Sequence, residues 1–126
     1  MRNLAWSVCW LSLFVLLQPA RAQDIAKVAP EHTKILLEND AVRVVQTTLA
    51  PGEKDPVHTH PAGWYYVVSP GTMKITFADG KTATWESEAG EGGWLQTKAP
   101  HADENVGKAT IVWVLVEVKS TAKPQH

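Results

Sequence analysis

The chain has 126 residues, of which 44% are hydrophobic and 20% are charged, a composition typical of one globular domain rather than of disordered protein. Its formal net charge of -1 excludes the strongly basic surface that nucleic-acid binding or attraction to an anionic membrane requires. We therefore expect no nucleic-acid partner.

Residues 1–22 have the pattern of a secretory signal peptide. Arg2 is followed by a mostly apolar stretch at 4–17, and residues 20–22 give an Ala-x-Ala cleavage pattern. The apolar stretch is shorter than the ~20 residues of a membrane-spanning helix. We expect cleavage near Ala22 and a periplasmic or secreted protein with no membrane anchor. The only cysteine, Cys9, is lost with this segment, which excludes disulfides and thiolate metal ligands from the mature chain.

The remaining chain has the pattern of an N-terminal arm at 23–33, eight short strands within 34–119 and a C-terminal tail at 120–126. No long helical period is present, and turn residues recur every 8–12 positions, which predicts an all-β sandwich or barrel. The predicted strands are 34–37, 42–49, 64–69, 73–77, 81–86, 92–97, 101–106 and 110–118.

Two of these strands, 64–68 and 111–116, are apolar on both faces. A strand of a small antiparallel barrel normally has one solvated face, so a second dry face indicates that something covers the outside. The N-terminal arm or a second copy of the chain could cover it, and we expect a homodimer.

Histidines suggest a metal site. His58 and His60 are two residues apart, which in a strand places both imidazoles on one face and lets them converge on one ion. His101 is the candidate for a third ligand from a distant strand. Imidazole accepts Fe, Mn, Ni, Cu and Zn alike, so the pattern predicts a divalent metal ion without naming it. His32 and His126 fall in the arm and the tail and are left out.

The residues around the first pair carry a resemblance to a known family. The chain has Gly52, then His58-x-His60 after five residues, Trp64 after three more and Gly71 after six more. This spacing resembles the first motif of the cupin family, Gly-x5-His-x-His-x3,4-Glu-x6-Gly.

Further along, Gly90 is followed by His101 after ten residues and by Asn105 after three more. This spacing resembles the second cupin motif. Together the two motifs cover about 36–119. The resemblance implies a small jelly-roll barrel, the double-stranded β-helix. Some stretches are also similar to a small single-domain group that includes bacterial β-alanine-degradation cupins, namely 39–44, 50–52, 66–68, 104–107 and 116–119.

The sequence departs from both motifs. The usual carboxylate ligand falls at Trp64, or at Tyr65 with the longer spacing, and the second motif has Gln96 and Lys98 in place of Pro and Gly. Three alternatives follow: a three-histidine metal centre like that of some dioxygenases resembling cupins, a weak metal site without turnover, or relic histidines in a domain that binds an organic ligand.

The resemblance also implies an aromatic pocket. It directs Trp64 into the barrel, and with it Tyr66 and Trp94, so that the pocket would suit a small organic acid. Trp85 and Trp113 are interpreted as packing residues.

Asn105 is expected to stabilise a turn or to support a ligand histidine from a second layer. Glu117 is expected to be buried and paired with a base or to reach solvent, and is not assigned as a ligand. Proton transfer would fall to Tyr65, Tyr66 or bound water.

The favoured function is a small-molecule enzyme with dioxygenase-like chemistry ahead of isomerisation. The alternatives are a non-catalytic ligand-binding or sensing domain, and a structural interaction module.

Overall fold

A computed structural model describes residues 23–96 and 99–119, so the predicted signal peptide at 1–22 and tail at 120–126 lie outside the described residues. Each predicted strand is present, with bounds that differ by at most two residues. The elements are α1 (Ile25–Val28), β1 (Thr33–Glu38), β2 (Val42–Leu49), β3 (Gly63–Ser69), β4 (Thr72–Phe77), β5 (Thr82–Glu86), β6 (Gly92–Leu95), β7 (His101–Asn105) and β8 (Ile111–Val118).

The strands form two antiparallel sheets with the core between them. The larger sheet has the order β1-β2-β8-β3-β6 and the smaller has the order β5-β4-β7. Leu49 and Ile111 of the larger sheet contact Met73 of the smaller, and Trp85 and Trp113 pack against this cluster as predicted. These contacts confirm the all-β fold class.

A segment that is not a regular strand extends the smaller sheet. Residues 54–58 run antiparallel beside β7, where the Asp55 N–H donates to the carbonyl of Asp103 at 2.9 Å. His58 and His101 exchange both backbone hydrogen bonds, at 2.8 and 3.0 Å. In such a pair the two side chains project from the same face of the sheet, which places the two imidazoles side by side.

The N-terminal arm is part of the core, whereas the sequence suggested a loop. Ile25 and Ala29 are buried against Val45 of β2, and Asp24 caps α1 by accepting the N–H of Ala26. Within the described ranges no helix has the length and apolar character needed to cross a membrane. Because Ile25 lines the space between the sheets, the arm leaves the outer face of the larger sheet uncovered.

Arg43 joins the arm to the larger sheet. Its two terminal nitrogens donate to the carboxylate of Asp24 at 2.7 and 2.8 Å, and its Nε donates to Glu117, which is almost fully buried. Of the two expectations for Glu117, burial beside a base is therefore the one observed. The hydrogen bond from Arg43 lowers the pKa of Asp24, and the two carboxylates raise the pKa of Arg43.

We expect Arg43→Ala to lower the free energy of unfolding by roughly 3 kcal/mol, because it leaves the carboxylate of Glu117 buried without its partner. Denaturant unfolding measures this difference. Adding Glu117→Leu to an Arg43→Met variant should recover part of the loss, because no uncompensated charge then remains in the interior.

Lys119→Ala is the matched control, since it breaks the exposed ion pair between Lys119 and Glu38. Its unfolding midpoint should stay close to that of the unaltered protein. Equal destabilisation by Arg43→Ala and Lys119→Ala would show that the buried pair does not hold the arm.

Candidate metal centre

Three imidazoles meet at one end of the space between the sheets. His58, His60 and His101 are all buried, and their ring centroids lie 4.5 Å (His58 and His101), 5.2 Å (His60 and His101) and 6.3 Å (His58 and His60) apart. The fold therefore brings together the three histidines selected from sequence spacing. His58 and His60 do so from an irregular segment rather than from a regular strand.

The hydrogen bonds of these histidines fix which nitrogen faces the cluster. Nδ1 of His58, His60 and His101 lies 2.9, 3.1 and 2.8 Å, respectively, from a backbone carbonyl oxygen close by in sequence. A carbonyl only accepts, so each Nδ1 carries the hydrogen and each neutral ring has its lone pair on Nε2. Burial lowers the pKa of His58 to about 4 and also lowers the pKa of His60, which keeps both rings neutral at neutral pH.

Asp103 adds a carboxylate to this cluster. Its Oδ2 lies 3.7 Å from Nε2 of His58 and 3.9 Å from Nε2 of His101, and the ligand atoms of these three residues all lie within 4.8 Å of one another. Asp103 is buried, its Oδ1 has no hydrogen-bond partner among the described residues, and burial raises its pKa to about 6. A bound cation would compensate this carboxylate.

Asp103 was not among the ligands predicted from the sequence, although a signal for it was present. Asp103 follows His101 by two residues on the same strand, the spacing that also pairs His58 with His60. Side chains two apart on a strand share a face, so a carboxylate there could have been proposed as a ligand.

A second buried carboxylate, Asp55, already has a partner. Its Oδ1 accepts a hydrogen bond from Nδ1 of His32 at 2.6 Å, and burial raises its pKa. His32, predicted to lie in the arm, thus forms a hydrogen bond with Asp55. Asp103 is then the carboxylate that faces the imidazoles.

The residues present fit a divalent transition metal. Fixed Nε2 lone pairs and a buried carboxylate with an unpartnered oxygen are the nitrogen and oxygen donors such ions take in proteins. His60 stands outside the tightest group of donor atoms, so the closest three are His58, His101 and Asp103.

The predicted aromatic pocket was wrong in its choice of strand face. Trp64, Tyr66 and Trp94 lie on the outer face of the larger sheet, with 43%, 39% and 55% of their surface exposed. Tyr65 and Trp85 line the cavity instead. Because both faces of β3 are apolar, hydrophobic periodicity could not decide which face is internal.

The cavity between the sheets has a volume of about 410 Å³. Nine of its fifteen lining residues are apolar, and the polar ones include the three histidines and Asp103, so the polar groups are few and clustered. Such a cavity is typical of a small-molecule site.

Tyr65 borders the cavity, but its hydroxyl is engaged. The hydroxyl donates to Glu91 Oε1 at 2.9 Å, and Trp85 Nε1 donates to the same oxygen at 3.2 Å. The bond to the carboxylate raises the pKa of Tyr65. Since Tyr66 faces outward, Tyr65 is the one tyrosine at the cavity, and the hydrogen bond to Glu91 holds its proton.

Asn105 stabilises the turn after β7, and its side-chain hydrogen bonds among the described residues go to backbone groups and not to the three histidines. Its Nδ2 donates to the carbonyls of Leu49 at 2.7 Å and Ala109 at 2.9 Å, and its Oδ1 accepts the N–H of Gly107. The turn role is the one observed, and the expectation that Asn105 orients a histidine was wrong.

The model of the cupin domain matches residues 45–117, more than half of the chain. This chain belongs to the cupin family. The carboxylate of the first motif is then replaced at the cavity wall by Tyr65, which faces inward, while the cavity carboxylate comes from Asp103 on β7.

Solved structures show the same double-stranded β-helix fold. A cupin domain from Bordetella pertussis Tohama I superposes with a TM-score of 0.64 at 19% identity, over 70% of this chain and 92% of that one. A protein with a double-stranded β-helix domain from Klebsiella pneumoniae gives a TM-score of 0.57 at 20% identity, over 83% and 95% of the two chains. The polyketide cyclase RemF from Streptomyces resistomycificus gives 0.53 at 20% identity, over 68% and 63%.

A comparison with curated protein sequences gives no significant match. The narrower resemblance to the group that includes β-alanine-degradation cupins stays a prediction.

We expect Nδ1 of His58, His60 and His101 to carry a hydrogen in the metal-free protein, because each Nδ1 faces a carbonyl oxygen. The lowered pKa of His58 and that of His60 keep these two rings neutral at pH 7. Long-range proton–nitrogen NMR correlation spectra report the tautomer of each ring. An Nε2-protonated tautomer at any of the three would contradict this arrangement.

Proposed function

We propose that this cupin holds one divalent metal ion through Nε2 of His58, His60 and His101 together with Asp103, and acts with it on a small molecule in the cavity. The observation that carries the proposal is the set of three Nδ1-to-carbonyl hydrogen bonds, because these leave Nε2 of each ring available to an ion, and Nε2 of His58 and of His101 lie 3.7 and 3.9 Å from Oδ2 of Asp103. Without a ligand, Oδ1 of Asp103 is buried with no hydrogen-bond partner among the described residues.

Asp103 supplies the carboxylate that the first motif lacks. The three imidazoles are neutral, so a divalent ion with one aspartate keeps one net positive charge toward the cavity. A metal ion so held would supply Lewis-acid polarisation of a bound oxygen, and oxygen chemistry if it is redox-active. The chain's own contribution is to orient the ligand and to exclude water, through apolar walls that include Val45, Ile75 and Phe77.

We favour an enzyme with dioxygenase-like chemistry ahead of isomerisation. Dioxygenase chemistry needs fewer protein acids and bases than isomerisation does, and the described cavity lining contains few such groups. Apart from the proposed ligands, Tyr65 is the one titratable group that lines it, and its hydroxyl is bound to Glu91.

The small number of acids and bases in the cavity lining also supports a second candidate function, a non-catalytic ligand-binding or sensing cupin. Oxygen consumption by the metal-loaded protein with a panel of small acids and diketones separates the two. Ligand-dependent uptake supports the enzyme, and ligand binding without uptake or product supports the binder.

Export remains part of the proposal, and its support is the pattern of residues 1–22. Mass spectrometry of the protein recovered from its own cells tests it. A chain that begins at Gln23 in the periplasm or medium is expected, and an intact N-terminus in the cytoplasm would overturn it.

We expect the unaltered protein, purified without a tag or chelator, to carry about one divalent ion per chain by elemental analysis. His101→Ala should weaken binding of added Fe(II), Mn(II), Ni(II), Cu(II) and Zn(II) by at least about tenfold, because it removes the imidazole that β7 contributes and leaves Asp103 as the donor from that strand. Asp103→Asn should weaken affinity at least about tenfold, because it removes the anionic donor.

Glu104→Gln is the matched control, since Glu104 neighbours Asp103 on β7 but forms an ion pair with Lys54 instead of facing the imidazoles. Its metal affinity should be unchanged. Metal content far below one ion per chain, unaltered by any of the five added metals, would overturn the proposed function.

A further inference from the structure

The charge of the cavity lining limits what it can bind. No lysine or arginine is among the described residues that line it, and the polar residues include the histidines and Asp103 of the metal centre. Beyond that centre the wall is formed by residues such as Phe77, Trp85 and Leu95. A second anionic group, or a row of hydroxyls, would lose its hydration there without gaining partners.

Arg43, a partly buried cation of the larger sheet, is already committed. Its Nε and both terminal nitrogens donate to Glu117 and Asp24. At the metal centre, a divalent ion with the one carboxylate of Asp103 would leave a single positive charge. One anionic group on the ligand would neutralise that charge, and a second would have no counterpart.

We propose that the ligand of this cavity is a monoanion with an apolar body, preferably an aromatic ring, such as a hydrophobic monocarboxylate. This inference rests on the proposed metal function, because the ion provides the positive charge. The aromatic preference rests on Tyr65, Phe77, Trp85 and Trp113, which all line the cavity. Dicarboxylates and polyhydroxylated sugars are the classes that it excludes.

Calorimetry on the metal-loaded protein tests the ligand class with four probes. Benzoate should bind at least about ten times more tightly than each of the other three probes. Terephthalate adds a second carboxylate, gluconate lacks an apolar body, and benzyl alcohol lacks the charge. Removing the metal should abolish benzoate binding. Equal or tighter binding of terephthalate or gluconate, or no binding of benzoate, would overturn the inference.

The two failures are distinguishable. If elemental analysis finds no metal, the proposed function itself fails. If the metal is present and the preference for benzoate is absent, the metal function stands and the ligand class fails.

A variant pair tests the role of the wall. Leu95→Arg places a cation on the cavity lining and should raise the affinity for terephthalate relative to benzoate by at least about tenfold. Gln96→Arg is the matched control, because Gln96 is the exposed neighbour outside the lining, and it should leave the ratio unchanged. Equal ratios in both variants, with metal content and melting temperature preserved, would argue against the wall as the selective element.

A separate observation concerns the outer face of the larger sheet. The strand register aligns Leu37, Val44, Val116, Trp64 and Trp94 in one row across all five strands. Every member of this row is apolar, and Leu37, Trp64 and Trp94 are exposed. We call this surface the outer face.

The next row of the outer face runs from Lys34 on β1 to Gly92 on β6 and includes Gln46, Val114 and Tyr66 between them. Lys34, at the edge, is the one charged residue of this row. Five strands spaced ~4.8 Å apart and up to eight residues long give roughly 500 Å² of projected area, before the relief of the side chains is counted. A stable interface buries ~800 Å² of accessible surface on each partner. The projected area of the outer face also reaches the upper part of the size range of apolar patches on monomers.

We infer that a second copy of this chain covers the outer face, related by a two-fold axis that lies parallel to β8 in the plane between the two outer faces. The bulky residues Trp64, Tyr66 and Trp94 lie on the β3 and β6 side of β8, and the smaller Leu37 and Val44 lie on the β1 and β2 side. Rotation by 180° about this axis places the bulky half of one copy against the smaller half of the other. The face is therefore complementary to itself, as an isologous dimer requires.

Light scattering of the purified protein tests this interface. A dimer is expected, and Trp94→Glu should convert it to a monomer, because it buries a charge in the contact. Val106→Glu is the matched control, since Val106 is also exposed but lies outside the larger sheet, and should remain a dimer. A monomer at high concentration, a larger assembly, or a dimer that survives Trp94→Glu with metal content intact would overturn the inference.

Discussion

The backbone pairing of His58 with His101 is the contact on which the proposed metal centre depends. These two residues are 43 positions apart in the chain, yet each donates its N–H to the carbonyl of the other. Backbone bonds of this kind hold the two rings side by side without any contribution from a ligand. Their orientation is fixed a second time, because each Nδ1 faces a carbonyl oxygen. The ligand atoms are therefore positioned by backbone groups, which few side-chain substitutions nearby would disturb.

The N-terminal arm extends this arrangement to His60. The N–H of Thr59 donates to the carbonyl of Gln23, so the segment that carries His60 is paired with the start of the arm. Asp24 then binds Arg43, and Arg43 binds Glu117 on β8. The arm thus connects the histidine segment to the central strand, and Ile25 contributes to the cavity wall. The segment predicted from the sequence as an N-terminal arm is therefore an integral part of the candidate site.

The few charged groups in the interior of the described domain are compensated. Arg43 is compensated by two carboxylates, Asp55 is paired with His32, and Asp103 is the carboxylate left facing the imidazoles. Because an isolated buried charge is costly, each of these groups has a partner or awaits a cation. This arrangement explains why the loss of a carboxylate at position 65 is compatible with a metal centre: the anionic donor comes from β7 instead of β3, and its total charge is the same.

The sequence by itself determined the strands and the three histidines, because both depend on local information. Alternating β-forming residues between turn signals such as Asp79-Gly80 locate a strand to within two residues, and residues two apart such as His58 and His60 share a face. The tertiary structure alone decided which face of β3 is internal, since Trp64 and Tyr65 are both compatible with a core. It alone showed that Asp103 faces the imidazoles, since whether a strand carboxylate is buried depends on what the neighbouring strands place against it.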